Sequence, residues 1–413
     1  MSEVLRGACI FGQSGGPTCV INASAYGVIR AALDAPEITK VYGAEHGILG
    51  VLNDRLFVMD EEDPEELKLL VNTPSSELGS CRYRIADPDE DETEFEKILE
   101  IFKKYDVRYF FYNGGNDSMD TCNKISRYME KVGYECRVMG VPKTIDNDLV
   151  GTDHCPGYAS AARYIATSCM EVYKDMHAYN TGTVNIIEIM GRNAGWLAAS
   201  SALATMAGAG PDLIYLPERD FDMDEFMNDV TRLYNEKGHV LVAVSEGIHY
   251  ADGTYVAEAE TSSKDAFGHA QMGGLSSLLA SVVKEKFPVK VRGIEISLLQ
   301  RAAAHQASAT DIEEAILVGK VAVESAVSGI TGKMVGIKRT EKDGAYSAET
   351  EFAPLTKVAN EEKMVPLEWI NEAGNFMTQE FIDYALPLIQ GEPDITYENS
   401  LPRYARLKRV LAK

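Results

Sequence analysis

Short β-branched or aromatic runs alternate along this chain with longer stretches of helical periodicity, and that alternation leads to βαβ units whose mostly parallel sheet is covered on both faces. Strands are expected at residues 8–12, 108–113, 137–141, 183–190, 213–216, 239–245 and 289–298. Helical stretches lie between them at 118–131, 158–175, 223–235 and 276–286. Thr310, followed three residues later by Glu313, forms a capping-box signature ahead of an apolar-periodic run to Val327. No period of about 20 to 50 residues repeats. Two segments, 51–99 and 338–413, are more irregular and read as surface elaborations or a tail-wrapped extension.

With 413 residues and 45% hydrophobic composition, the chain can bury more than one core, and its size suits two or three domains. No apolar run reaches the roughly 18 residues of a membrane span, and the first residues lack the pattern of a secretory signal, so a cytoplasmic protein without membrane partners is expected. The cysteines (Cys9, Cys19, Cys81, Cys122, Cys136, Cys155 and Cys169) form no CxxC pair and are odd in number, which predicts reduced, mostly buried thiols. A formal charge of -23 repels nucleic acid and anionic lipid. An anionic ligand must therefore meet a local pocket of basic groups.

Several strand ends carry glycine beside a charged residue. FGQSGGPT (11–18) follows the first strand, and its glycine pair, Gly15 and Gly16, lets a backbone approach an anion closely, although a tight strand-to-helix turn would use the same residues. NGGNDS (113–118) repeats the arrangement, with Gly115 and the carboxylate of Asp117 suited to phosphate and metal; Asn116 and Asp117 also fit a plain turn and helix cap. VPKTIDNDL (141–149) places Asp146 and Asp148 two residues apart, with Lys143 and Thr144 just upstream. In extended geometry both carboxylates would face one side, with Lys143 supplying the charge a phosphoryl group needs. IMGRNAGW (189–196) sets Gly191 before Arg192, whose planar fork matches phosphate oxygens. Glu246 ends another strand, and Arg292 and Arg301 bracket RGIEISLLQR. That edge is where doubly wound sheets assemble their sites, and the recurrence is harder to assign to turns than any motif alone.

In order and spacing, GGPT, GGNDS, PKTIDND, MGR, SEG and the QR of SLLQR resemble the phosphofructokinase family over about residues 6–335. The resemblance implies an α/β fold of two similar Rossmann-like three-layer domains with mostly parallel sheets and a cleft between them, plus a C-terminal extension. Residues 1–148 with 305–360 would bind the phosphoryl donor, 149–304 the sugar phosphate, and 361–413 would be the extension. It implies a glycolytic, Mg²⁺-dependent kinase assembled as a homodimer or homotetramer. Asp146 would be the general base toward the sugar 1-hydroxyl, with Asp148 and Lys143 beside it. Gly15, Gly16, Arg82, Gly115, Asp117 and Lys143 would meet the donor. Thr144, Asp146, Met190, Gly191, Arg192, Glu246, Arg292 and Arg301 would meet the sugar phosphate, and Asp117 and Asp146 the metal.

The resemblance also bears on the donor. ATP-dependent members usually have glycine before Ser118 and after Pro142, whereas pyrophosphate-dependent members carry Asp and Lys, as here at Asp117 and Lys143. Transfer from pyrophosphate to fructose 6-phosphate is the leading expectation. ATP use, a sedoheptulose 7-phosphate acceptor and a non-catalytic sugar-phosphate-binding subunit are the alternatives. Asn116 stands where a family aspartate is common, Leu298 where ATP-dependent members have histidine, and Thr183 where they have an arginine contributed across a subunit interface.

Overall fold

The computed structural model describes residues 5–257 and 274–413. In chain order its longer strands are β1 (Gly7–Gln13), β2 (Ile38–Ala44), β3 (Leu56–Val58), β4 (Val107–Gly114), β5 (Arg137–Pro142), β6 (Thr183–Ile189), β7 (Leu213–Tyr215), β8 (His239–Ser245), β9 (Lys290–Glu295), β10 (Lys333–Lys342) and β11 (Ala345–Pro354). They make two sheets. One has the order β11-β10-β5-β4-β1-β2-β3, parallel except at β3 and β11, and the other is β7-β8-β6-β9, parallel throughout.

Strand periodicity explains why both sheets are sandwiched. Ala8 and Ile10 of β1 enter one core while Cys9 and Phe11 enter another, because successive side chains point to opposite faces. The first core is closed by the helices Thr93–Lys104 and Asn116–Lys131, and the second by Ile21–Asp34 packed on Ala309–Val327. The second sheet repeats the scheme: Val240, Val242 and Val244 of β8 face one core, Leu241 and Ala243 the other.

Four expectations are revised. The helix expected to be capped at Thr310 spans Ala309–Val327, and its cap is Ser308, whose hydroxyl accepts from the Asp311 N–H. Thr310 already lies inside the first turn and bonds the Gln390 carbonyl instead. The strand expected over 289–298 stops at Glu295, because Ser297 takes a left-handed φ of 49° that turns the chain into a short helix. Residues 338–413 are not wholly irregular, since β10 and β11 form a ten-residue antiparallel pair extending the larger sheet. Within 51–99, helix Thr93–Lys104 begins a buried run through Phe95, Ile98 and Phe102.

The chain's last residues run along β3. The Val58 N–H donates to the Val410 carbonyl and the Ala412 N–H to that of Leu56, both at 2.8 Å, covering a strand edge that would otherwise be open. All seven cysteines are buried. Burial pushes the thiols of Cys19, Cys155 and Cys169 up to about 12, and raises those of Cys9, Cys122 and Cys136 as well. No described helix is long and apolar enough to cross a membrane.

Candidate active site

Loops leaving the C-terminal ends of β1, β4 and β5 in one sheet, and of β6, β8 and β9 in the other, line a single cleft of about 630 Å³. On the side of the larger sheet the glycine pair lies under three cations. Gly15 takes a left-handed φ of 76°. A Cβ on Gly16 would fall 2.8 Å from Arg301 Nη1 and 3.7 Å from Arg82 Nη2, so both guanidinium groups lie against a backbone that only glycine leaves open. Lys143, 3% exposed, donates from Nζ to the Gly16 carbonyl at 2.7 Å. Burial pulls its ammonium down to about 8, against the opposing charge of Asp146 and with the aid of Arg301.

Gly115 precedes helix Asn116–Lys131, whose first residues, Asn116 and Asp117, line the cleft. Asn116 Oδ1 is buried with no hydrogen-bond partner. Asp117 accepts from Arg84 Nη2 at 2.7 Å.

The loop after β5 is a turn, not the extended strand the sequence led us to expect. Asn147 sits at φ 56°, its Nδ2 donating to the Tyr384 hydroxyl and its Oδ1 accepting from the Cys155 N–H, each at 2.9 Å. Asp146 and Asp148 nevertheless both line the cleft, and the Asp146 N–H donates to Thr144 Oγ1 at 3.1 Å. Burial raises the Asp146 carboxyl against Lys143 and Arg192. Burial and then the charge of Asp146 bring Asp148 up to about 7.

Met190, Arg192 and Glu246 form the opposite wall. Gly191 shapes it without lining it: at φ 137°, a Cβ there would meet the Ala194 carbonyl at 2.6 Å and Ser245 Oγ at 2.8 Å. Its N–H points to Glu246 Oε1 at 3.4 Å, and the Met190 N–H donates to Gln300 Oε1 at 3.2 Å. Burial first, and then Asp146, raise Glu246 to about 7. Arg192 Nε is buried without a partner.

Arg292 is not brought to the cleft. It lies three residues before Glu295, which does line it, so strand geometry sets it roughly 10 Å back and on the other face. Thr183 is also remote, at the start of β6 with its hydroxyl donating to the Lys290 carbonyl at 2.9 Å, whereas Leu298 lines the cleft and is 55% exposed.

The sequence profile described as phosphofructokinase matches residues 9–296, more than half of the chain. The chain belongs to the phosphofructokinase family. Relatives agree over nearly its whole length. A pyrophosphate--fructose 6-phosphate 1-phosphotransferase of Halomonas elongata is 44% identical over 403 residues, covering 97% of this chain and 96% of its own. One of Methylococcus capsulatus is 43% identical over 404 residues, with the same coverage of both chains. The crystal structure of a pyrophosphate-dependent phosphofructokinase from Nitrosospira multiformis superposes with a TM-score of 0.90 at 39% identity, covering 99% of this chain and 98% of that one.

Among the residues at and around this phosphofructokinase-family site that went unread in the sequence are Arg84, Gln300 and Glu362. Arg84 pairs with Asp117; its signal was its spacing of two from Arg82, which in an extended segment shares a side. Gln300 stands beside Arg301 in the motif and holds the Met190 loop. Glu362 reaches the cleft from the expected extension, and nothing local marks it.

Proposed function

We propose that this chain transfers a phosphoryl group reversibly from inorganic pyrophosphate to the 1-hydroxyl of fructose 6-phosphate, giving fructose 1,6-bisphosphate and phosphate. The observation that carries this reading is the position of Lys143, a shielded ammonium held between the Gly15–Gly16 loop and Asp146. The names of the relatives at 43–44% identity point the same way. The donor lies over Gly15, Gly16 and Gly115, with Lys143 and Arg82 offsetting its charge. Fructose 6-phosphate lies against Thr144, Met190 and the Gly191 turn, with Arg192 and Arg301 toward its phosphate and Glu246 toward its hydroxyls. The half holding β1–β5, β10 and β11 takes the donor and the half holding β6–β9 the sugar, within a homo-oligomer.

Asp146 accepts the 1-hydroxyl proton as that oxygen forms its bond to phosphorus and the bond to the departing phosphate breaks. A base raised toward neutrality by burial suits this step. Lys143 balances the charge that gathers on the leaving phosphate, in a site where water screens it little. Asp148 stands beside the base in the cleft, its own carboxyl held near 7 by burial and by the charge of Asp146. Asp117 adds negative charge at the donor side, which disfavours a longer polyphosphate such as ATP.

Magnesium fits these residues. Among the described residues no three His, Cys, Asp or Glu side chains converge to cage an ion. Mg²⁺ in phosphoryl-transfer sites keeps waters and phosphate oxygens and needs only one or two carboxylates. Asp117 and Asp146 line the cleft, with the unpartnered oxygens of Asn116 and Asp148 available to the ion's waters. When bound, the ion neutralises phosphate oxygens.

The reading is tested by mixing purified protein with fructose 6-phosphate, Mg²⁺ and either pyrophosphate or ATP. Turnover is expected with pyrophosphate. Turnover with ATP alone would overturn the donor assignment.

A further inference from the structure

Residues 362–365 lie beyond the span that the family profile matches, yet they touch both walls of the cleft. Glu362 pairs across a β-bridge with Leu149, directly after the Asp146–Asp148 turn. The Lys363 N–H donates to the Asp148 carbonyl at 2.7 Å, and its Nζ donates to the carbonyls of Asp153 at 2.7 Å and Thr152 at 3.1 Å. One lysine thus fastens both ends of the stretch from 148 to 153.

The same segment grips the Arg192 loop. The Lys363 carbonyl accepts from Trp196 Nε1 at 2.8 Å, and its ammonium stands 5.3 Å from the centroid of that indole. Asn193 Nδ2 approaches both oxygens of Glu362, at 2.8 and 3.1 Å. Glu218 Oε1 accepts from the N–H groups of Gly195 at 2.8 Å and Val365 at 2.9 Å, stitching the two segments a third time. Lys363 itself does not line the cleft, so any effect it has on a bound substrate must pass through the loops it holds.

We propose that residues 362–365 are a clasp that fixes the separation of Asp146 from Arg192, with Lys363 as its positioning residue. This rests on the reading of Asp146 as base and Arg192 as sugar-phosphate contact. Phosphoryl transfer is mainly positioning, and a displacement of about 1 Å can cost about 10² in rate. The clasp therefore acts on the acceptor's alignment and leaves the donor side, built on Gly15, Gly16 and Lys143, alone.

The test compares Lys363→Met, which keeps the apolar stem, with Lys363→Arg, which keeps donors and charge. Lys363→Met is expected to lower kcat by about tenfold to 10²-fold and to weaken fructose 6-phosphate, with the KM for pyrophosphate held within about twofold; Lys363→Arg restores most of the loss. Calorimetric titration of fructose 6-phosphate without a donor gives a second readout that needs no turnover. There Lys363→Met should raise Kd by about threefold or more, a change of about 0.65 kcal/mol. Wild-type activity is the separate control: its absence would sink the functional reading, while the titration still decides the clasp. Should Lys363→Met not fold, Glu218→Ala, which removes the acceptor shared by Gly195 and Val365 and does not line the cleft, takes its place with the same expected split. Unchanged kcat and unchanged sugar-phosphate Kd in a folded variant would overturn the proposal, as would equal loss of affinity for both substrates together with a lowered Tm.

Discussion

Lys143 Nζ and the Gly16 carbonyl, 2.7 Å apart, join the loop after β5 to the loop after β1. On the proposed reading a single side chain would thus carry the charge for the leaving phosphate and tie the glycine pair to the base. Lys143→Gly is expected to lower pyrophosphate-dependent kcat by about 10² to 10³, the usual cost of removing one such electrostatic group. A coupled assay at saturating fructose 6-phosphate measures it, and a rate equal to wild type would contradict the assigned role.

Replacing Asp146 by Asn keeps the shape of the turn, because the Asp146 N–H bond to Thr144 Oγ1 does not need the carboxylate. Loss of the proton acceptor is expected to cost about 10² to 10⁴ in kcat. Fructose 6-phosphate should still bind, since Arg192 and the Met190 loop are untouched. Retained turnover would contradict the assignment of Asp146 as the base, whereas wild-type protein that binds fructose 6-phosphate without turning it over would return the chain to a sugar-phosphate-binding role.

Stability of the ligand-free protein should depend on pH through the raised carboxyls. Asp148 and Glu246 stand near 7 and Asp311 near 6, all lifted chiefly by burial from ordinary values of 3.8, 4.5 and 3.8. Between about pH 4 and 7 the folded chain therefore binds more protons than the unfolded one, and stability declines as pH rises through the folded values. Tm at pH 5.0 is expected to exceed Tm at pH 7.5, with a shallower slope in Asp148→Asn. A Tm that climbs over this interval would refute the assignment of these groups.

The Tyr384 hydroxyl accepts a hydrogen bond from Asn147 Nδ2 and donates one to the Asp153 carbonyl, each at 2.9 Å. Tyr384→Phe leaves Asn147 short of a partner and should destabilise the protein by about 1–3 kcal/mol. The left-handed turn that places Asp146 is loosened with it, so kcat should fall more than the KM for pyrophosphate changes. Differential scanning fluorimetry and steady-state rates on one preparation check both; wild-type values in each would show that the turn holds itself.

The central strands were legible because their alternation is strong: β1, β4, β5, β6 and β8 lie within two residues of the expected limits. Their loops were legible because glycine and charge recur at the same sheet edge, and Asp146, Asp148, Lys143 and Arg192 do meet there. The hairpin of β10 and β11 left a signal that went unused, the Asp343–Gly344 turn with φ of 55° and 78°. Arg292 stays outside this chain's cleft because a motif fixes a residue in a strand without fixing which face it takes. Lys363 and Glu362 could not be found, since their partners lie roughly 170 to 215 positions away along the chain.

The shielded thiols give this protein a built-in gauge of its own opening. Cys155 lies directly behind the Asn147 turn in the core of the larger sheet and Cys169 in the core of the smaller one, so alkylation at either one reports opening of a different half. Labelled peptides recovered over time would then rank the order in which the two halves come apart, with no probe added to the sequence.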